Sequence, residues 1–220
     1  MNVIPFRRAA PDAEPMAFAI GARVDLRVGA IASGIVRPRG AAAEAYSFSG
    51  LARVLRAARM AWRERGVYAP LTLALPPDVQ NSIEADLLSE AALEAGCTRH
   101  ALSFELSEVE ILASGTGLAE DLRARGWGVV LRGDPACPLP FGVRARALYT
   151  EIVLDAPDDA NPFLAVESAD RSPLGRRLLA AKGAGLILTA ETVRTALQAK
   201  TLAMAGFDRG GGPFAEAGLR

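Results

Sequence analysis

Short apolar runs alternate with stretches of helical period along this chain, at a spacing that leaves few folds open. Leu71–Leu75, Ala101–Leu106, Trp127–Leu131, Glu151–Leu154 and Leu186–Thr189 have the length of buried strands. Between the strands, Leu51, Val54, Leu55, Ala58 and Trp62 recur at helical spacing, behind a cap at Ser47 or Ser49 and ahead of Gly66. The same reading predicts a helix over Asp78–Ala95 with Leu87, Leu88 and Leu93 inward, stopped by Gly96. Another leaves the strand at Leu106 and runs to Arg125, stopped by Gly126. Ser172-Pro173 opens a helix whose buried face is Leu174, Leu178 and Leu179, and a last one is predicted over Glu191–Met204. A short strand is expected near Phe207, then a flexible turn at Gly210–Pro213.

Strand followed by helix followed by strand is the pattern of a parallel sheet with crossover helices. Ala17–Leu26 and Ala30–Arg37, however, are joined only around Arg27–Gly29, so one strand must run against the rest. About seven or eight strands in one chain favour a closed α/β barrel over an open sheet.

A chain of 220 residues is enough for one such domain, and with half its residues hydrophobic it needs neither metal nor crosslink for a core. Its 25 basic residues balance 25 acidic ones, which removes the electrostatic case for nucleic acid or an anionic membrane. No apolar run reaches the ~18–20 residues of a membrane-spanning helix. Residues 1–15 carry Arg7, Arg8 and three prolines without an apolar segment, and read as a mobile tail ahead of a domain over residues 16–220. Cys97 and Cys137 form no CxxC pair and suit reduced thiols in a cytoplasmic protein.

The segment Leu102-Ser103-Phe104-Glu105-Leu106-Ser107-Glu108 is a strand that runs out into carboxylates. With Trp127–Leu131, Leu186–Val193 and the glycines around Gly211, its order and spacing resemble the EAL domain family. That resemblance implies a modified TIM barrel, (β/α)8 with one antiparallel strand, and here a truncated or missing last helix. It also implies cyclic di-GMP hydrolysis by two Mg or Mn ions held at the C-terminal ends of the strands.

Position by position, the family's Glu-x-Leu-x-Arg falls on Ser33-Gly34-Ile35-Val36-Arg37, which loses the ligand glutamate and keeps Arg37. The third-strand asparagine falls on Ala74. Leu-Glu-x-Thr-Glu survives as Phe104-Glu105-Leu106-Ser107-Glu108, and Asp-Asp-Phe-Gly falls on Arg132-Gly133-Asp134-Pro135. The lysine of Lys-Ile-Asp falls on Val153, ahead of Leu154 and Asp155. Ala-Glu-Gly-Val-Glu becomes Ala190-Glu191-Thr192-Val193-Arg194, and the late glutamine falls on Gly210.

Glu105 and Glu191 thus remain as ligand-type carboxylates, with Arg37 as the family's phosphate-binding arginine; the resemblance leaves these three as vestigial ligand-binding residues and assigns no catalytic or metal-binding residue. Glu191 also suits the start of a helix by its charge. Arg37 is open between a phosphate and a contact with Glu105 or Asp25. Arg132, always charged, is expected to pair with Glu105 in place of a metal. A shifted register would bring Asp134 to a metal-facing position instead. His100, the one histidine, has no partner for chemistry and reads as a surface residue, while Trp62 and Trp127 read as core. The expectation is an inactive EAL-like domain, without cofactor, that regulates by binding another protein. Its alternatives are a non-hydrolysing cyclic di-GMP receptor and a weak residual phosphodiesterase.

Overall fold

Asp25 reverses the chain at the end of the first strand. Its Oδ1 accepts the backbone N–H groups of Arg27 (2.8 Å) and Val28 (3.1 Å), and Gly29 supplies the left-handed φ of +73° that closes the turn. The result is an antiparallel hairpin of β1 (Phe18–Asp25) and β2 (Ile31–Pro38). A computed structural model describes residues 18–39, 42–134, 143–156 and 173–217.

Six further strands follow: β3 (Leu71–Ala74), β4 (Leu102–Ser107), β5 (Gly128–Arg132), β6 (Glu151–Asp155), β7 (Ile187–Glu191) and β8 (Arg209–Gly211). They close into a barrel in sequence order. β1 is antiparallel to both its neighbours, β2 and β8, and all other pairs are parallel. The α/β barrel with one reversed strand is therefore as expected.

The apolar core lies outside the barrel, under the helices. Outward residues such as Phe104 and Leu106 of β4 and Val129 and Leu131 of β5 are buried there with Leu51, Leu55 and Trp62 of the helix Phe48–Glu64. That helix is capped by Ser47, whose Oγ accepts from the Gly50 N–H. Trp62 lies so close over β2 that a Cβ on Gly34 would stand 2.9 Å from its ring. Trp127 meets Phe104 edge-on at 5.6 Å and donates its indole N–H to Ser89. Both tryptophans are core, and His100 is on the surface.

The helices depart from the expected pattern in instructive places. Asp78–Ala95 is two helices, Pro77–Gln80 and Ala85–Glu94, because Gln80 is diverted to the end of β4. Its amide donates to the Ser107 carbonyl and accepts the Ser107 N–H at 2.7 Å. Gly115, at φ +93°, divides the next stretch into Glu108–Ser114 and Gly117–Ala124. Leu93 is 52% exposed and Leu179 51% exposed, so neither faces inward, while Leu88 and Leu178 do. The last long helix begins at Ala196, capped by Thr195, and not at Glu191. The glycine run is no flexible turn: Arg209–Gly211 is the closing strand β8, and a short helix, Pro213–Ala217, follows it.

The tail over residues 1–15, Cys137 with the neighbouring Pro135, Pro138 and Pro140, and the Ser172 cap lie outside the described residues. No helix among the described residues is long and apolar enough to cross a membrane.

Candidate functional site: a guanidinium at the centre of the barrel

Side chains alternate along a strand, so every second residue points into the barrel. In this chain the inward set carries buried charges beside apolar residues such as Ile35, Val130 and Val153. Arg23 on β1 is fully buried and stands opposite Ser33 of β2 and Gly211 of β8. Its Nε donates to Glu191 Oε1 at 2.7 Å, and its Nη2 to Glu105 Oε2 at 2.5 Å. Its Nη1 reaches Glu151 Oε1 at 3.5 Å. All three carboxylates are buried.

Two further arginines complete the charge balance. Arg209 on β8 donates to Glu151 Oε2 at 2.7 Å, and the Arg37 guanidinium lies 3.9 Å from Glu191 Oε2. Thr189 adds a hydroxyl bond to Glu151 at 2.6 Å. Three buried glutamates thus face three guanidiniums. Burial alone would lower the Arg23 pKa; Glu105, Glu191 and Glu151 more than reverse that, and it is raised overall. A planar fork with donors on three nitrogens suits carboxylates arriving from three strands, as a lysine would not.

Several contacts differ from those the sequence led us to expect. Arg132 does not pair with Glu105; it binds Asp155 of the adjacent strand at 2.6 Å, at the rim. Arg37 forms its ion pair with Glu191, at 3.9 Å, and not with Glu105 or Asp25. Glu191 ends β7 and faces the barrel interior, so it is not a helix-start charge. On β8 the inward position is Gly211, where a Cβ would stand 2.8 Å from Glu191 Oε2, whereas Gly210 faces Leu26 and Val193 outside. Asp134 lies past the end of β5 and is exposed, with its backbone N–H bonded to Glu108.

Sequence reading brought Glu105, Glu191 and Arg37 to this centre but missed Arg23, Glu151 and Arg209. The signal for Arg23 was available. A hairpin turning at Asp25–Gly29 sets it across from Ser33, the position at which the resemblance lost a ligand carboxylate.

Ser33 is buried, and its Oγ has no hydrogen-bond partner among the described residues. Ala74 and Val153 offer no ligand atom in their side chains. Among the described residues no three His, Cys, Asp or Glu side chains are grouped as a metal site. Glu108, buried beside β4, accepts from Arg177 Nη2 on Oε1 and from the Asp134 N–H on Oε2 at 2.9 Å. Burial, then the Glu108 charge, pushes the nearby Tyr149 hydroxyl up to about 12.

Above the network, the mouth holds a pocket of about 310 Å³ whose walls include Arg37, Arg132, Arg194, Glu191 and Glu216. Thr192 stands at its edge with φ +62°, where the resembled motif has glycine. A β-branched residue is strained in that region by ~1–2 kcal/mol. Thr192→Gly is expected to stabilise the protein by about 1 kcal/mol, read as a higher urea midpoint at unchanged slope.

A closed eight-stranded barrel with its first strand reversed, antiparallel to both of its neighbours, defines a narrow class of architecture. It is the fold of EAL domains. The chain is similar to the EAL domain of Mycobacterium smegmatis DcpA, with a TM-score of 0.63 at 20% identity, over 92% of this chain and 96% of that one. It is similar to the FimX EAL domain from Pseudomonas aeruginosa bound to c-di-GMP, with a TM-score of 0.63 at 17% identity, over 89% and 88%. For Klebsiella pneumoniae BlrP1 in its calcium and c-di-GMP complex the TM-score is 0.69 at 17% identity. There the match spans 90% of this chain but only 54% of the other. No family model and no curated protein sequence matches this chain.

Proposed function

We propose that this barrel is a non-hydrolysing EAL-type domain of cyclic di-GMP signalling, which regulates by binding a protein partner. The observation that carries this reading is the Arg23 guanidinium, buried and bonded to Glu105, Glu151 and Glu191. Two-metal hydrolysis needs anionic oxygens shared between two dications ~3.5–4 Å apart. Here the candidate oxygens are already engaged by a cation that cannot leave or lose its charge. Ser33, Ala74 and Val153 add no carboxylate, so this donor set does not fit a pair of divalent cations.

A surface role is supported by the helix Ala196–Ala205, which carries large apolar side chains on its exposed face. Ala199, Leu202 and Ala205 are buried, while Leu197 and Met204, two turns apart on either side of Lys200, are exposed. A cytoplasmic setting belongs to the same reading, in which Cys97 stays a buried thiol whose pKa burial raises.

One observation favours a second reading, a receptor that holds the messenger without cutting it. Three guanidiniums, from Arg37, Arg132 and Arg194, line the mouth pocket, and guanidiniums match phosphate oxygens well. The structural relatives BlrP1 and FimX are themselves c-di-GMP complexes.

The full chain, incubated with cyclic di-GMP and excess Mn2+ or Mg2+, is expected to yield no linear dinucleotide by chromatography. Turnover that disappears in Glu105→Ala would establish residual phosphodiesterase chemistry and overturn the proposal. Calorimetric titration with the messenger separates the two non-hydrolysing readings: saturable heat that falls at least tenfold in affinity in Arg37→Ala selects the receptor.

A further inference from the structure

We infer that a second pocket, outside the barrel wall and apart from the mouth, binds a small organic cation with an apolar body, an amine on a hydrocarbon frame. Its volume is about 430 Å³, within the range of small-molecule sites, and it has no lining residue in common with the mouth pocket. It lies behind β4. The helices Pro77–Gln80 and Ala85–Glu94 stand on one side of it, and Glu108–Ser114 and Gly117–Ala124 on the other. The floor is apolar, made by the buried Leu106, Ile111, Ala85 and Ala119, with Ile83 and Leu118 half-buried beside them. Gly115 and Gly117 leave the space unfilled, since a Cβ on either would meet no atom within 4 Å.

Three polar ties hold the walls in place before any ligand arrives. Gln80 is fixed to both backbone groups of Ser107 at the end of β4. Asn81 donates to Glu110, which joins the first pair of helices to the second. Arg125 bonds Asp86 through Nε at 2.8 Å and Nη2 at 2.7 Å, and its Nη1 lies 3.9 Å from Asp121.

The edge decides the charge of the occupant. Glu84, Asp86 and Asp121 line the pocket as exposed carboxylates, against Arg125 as the one cationic side chain among the lining residues. That guanidinium is taken by Asp86 and Asp121, which leaves the Glu84 charge uncompensated. Glu84 is the N-cap residue of its helix, yet its side chain makes no capping bond and no ion pair among the described residues. A cleft of net negative charge over an apolar floor concentrates cations. An ammonium beside Glu84, with its hydrocarbon body on Leu106 and Ile111, meets both features. A carboxylate on the same frame meets only one.

Three probes of one shape, 4-phenylbutylamine, 4-phenylbutan-1-ol and 4-phenylbutyrate, are titrated into the full chain and followed by amide NMR shifts. The amine is expected to saturate with a Kd of about 1 mM or below, the alcohol to bind several-fold and the butyrate roughly tenfold more weakly. Shifts should gather on Gln80, Asp86, Ile111 and Leu118 and leave Arg37 and Thr192 at the mouth unmoved. Glu84→Gln should weaken the amine about three- to fivefold and leave the alcohol unchanged, an effect that a merely structural role for Glu84 would not give. Gly117→Trp, at a position with room for a side chain, should abolish binding of amine and alcohol alike. Ser114→Trp, on the neighbouring helix end, is a second block should the first variant fold poorly.

An alcohol or butyrate that binds as tightly as the amine overturns the inference. So does amine binding that survives both tryptophans, or none up to about 10 mM. The mouth and the messenger take no part in this experiment, so its outcome is independent of the functional proposal.

Discussion

Arg23→Met, studied in chelator, is expected to lose about 5 kcal/mol of stability and to leave the barrel largely unfolded in mild urea. Methionine fills most of the volume of the arginine stem, so packing changes little and the loss reports charge. Removing one partner of a buried ion pair costs ~3–5 kcal/mol, because the other is left as an uncompensated buried charge. Arg23 serves three carboxylates, and among the described residues only Glu151 and Glu191 have a second cation within reach. Glu105 would be stranded. A domain with ~5–15 kcal/mol in total cannot absorb that loss easily. Arg23→Lys should fall between native and Arg23→Met, since an ammonium on a flexible stem cannot meet three carboxylates at once. Adding Glu105→Gln to Arg23→Met should recover part of the loss. If the stabilities of Arg23→Met and the native chain, read from urea midpoints, differ by less than about 1 kcal/mol, the network is not holding the barrel together.

The barrel itself was legible because its signals are local. Apolar runs of strand length, and a three-residue turn after Val24–Asp25–Leu26, fix strand number and the one reversal without reference to distant residues. The polar interior was not legible in the same way. An arginine on an alternating strand can face water or the barrel; the hairpin register sets Arg23 across from Ser33, and closure of β1 onto β8 sets it beside Gly211. Arg132 was misassigned for a related reason. Asp155 lies on the adjacent strand, two residues beyond the Val153 that pairs with Arg132, and a diagonal neighbour on the same face is nearer than a carboxylate across the lumen. Glu191 belongs to the strand because its pairing with Asp155 carries β7 beyond its apolar run. Leu93 and Leu179 sit where the apolar stripe of a helix meets its edge, and there the neighbouring helices decide burial.

The other buried pair, Glu108 with Arg177, should behave differently from the central network. It joins the end of β4 to the helix Pro173–Gly183 across 69 residues of sequence, and both side chains are almost wholly buried. Glu108→Leu takes a carboxylate away from the buried Arg177 charge and also removes the acceptor of the Asp134 N–H, so a loss of about 4 kcal/mol is expected. Arg177→Met alone should cost slightly less, since Glu108 keeps that backbone bond. The double variant should lose clearly less than the sum, because two apolar side chains satisfy each other where two charges had to be desolvated. A double-mutant cycle on urea midpoints reads this as a coupling of up to ~3 kcal/mol. Additive losses would mean that the two residues act separately. The contrast with Arg23 lies in the exchange: replacing Glu108 and Arg177 together removes one buried carboxylate and one buried cation at once, whereas the central guanidinium answers to carboxylates on three strands, and no single exchange neutralises them all.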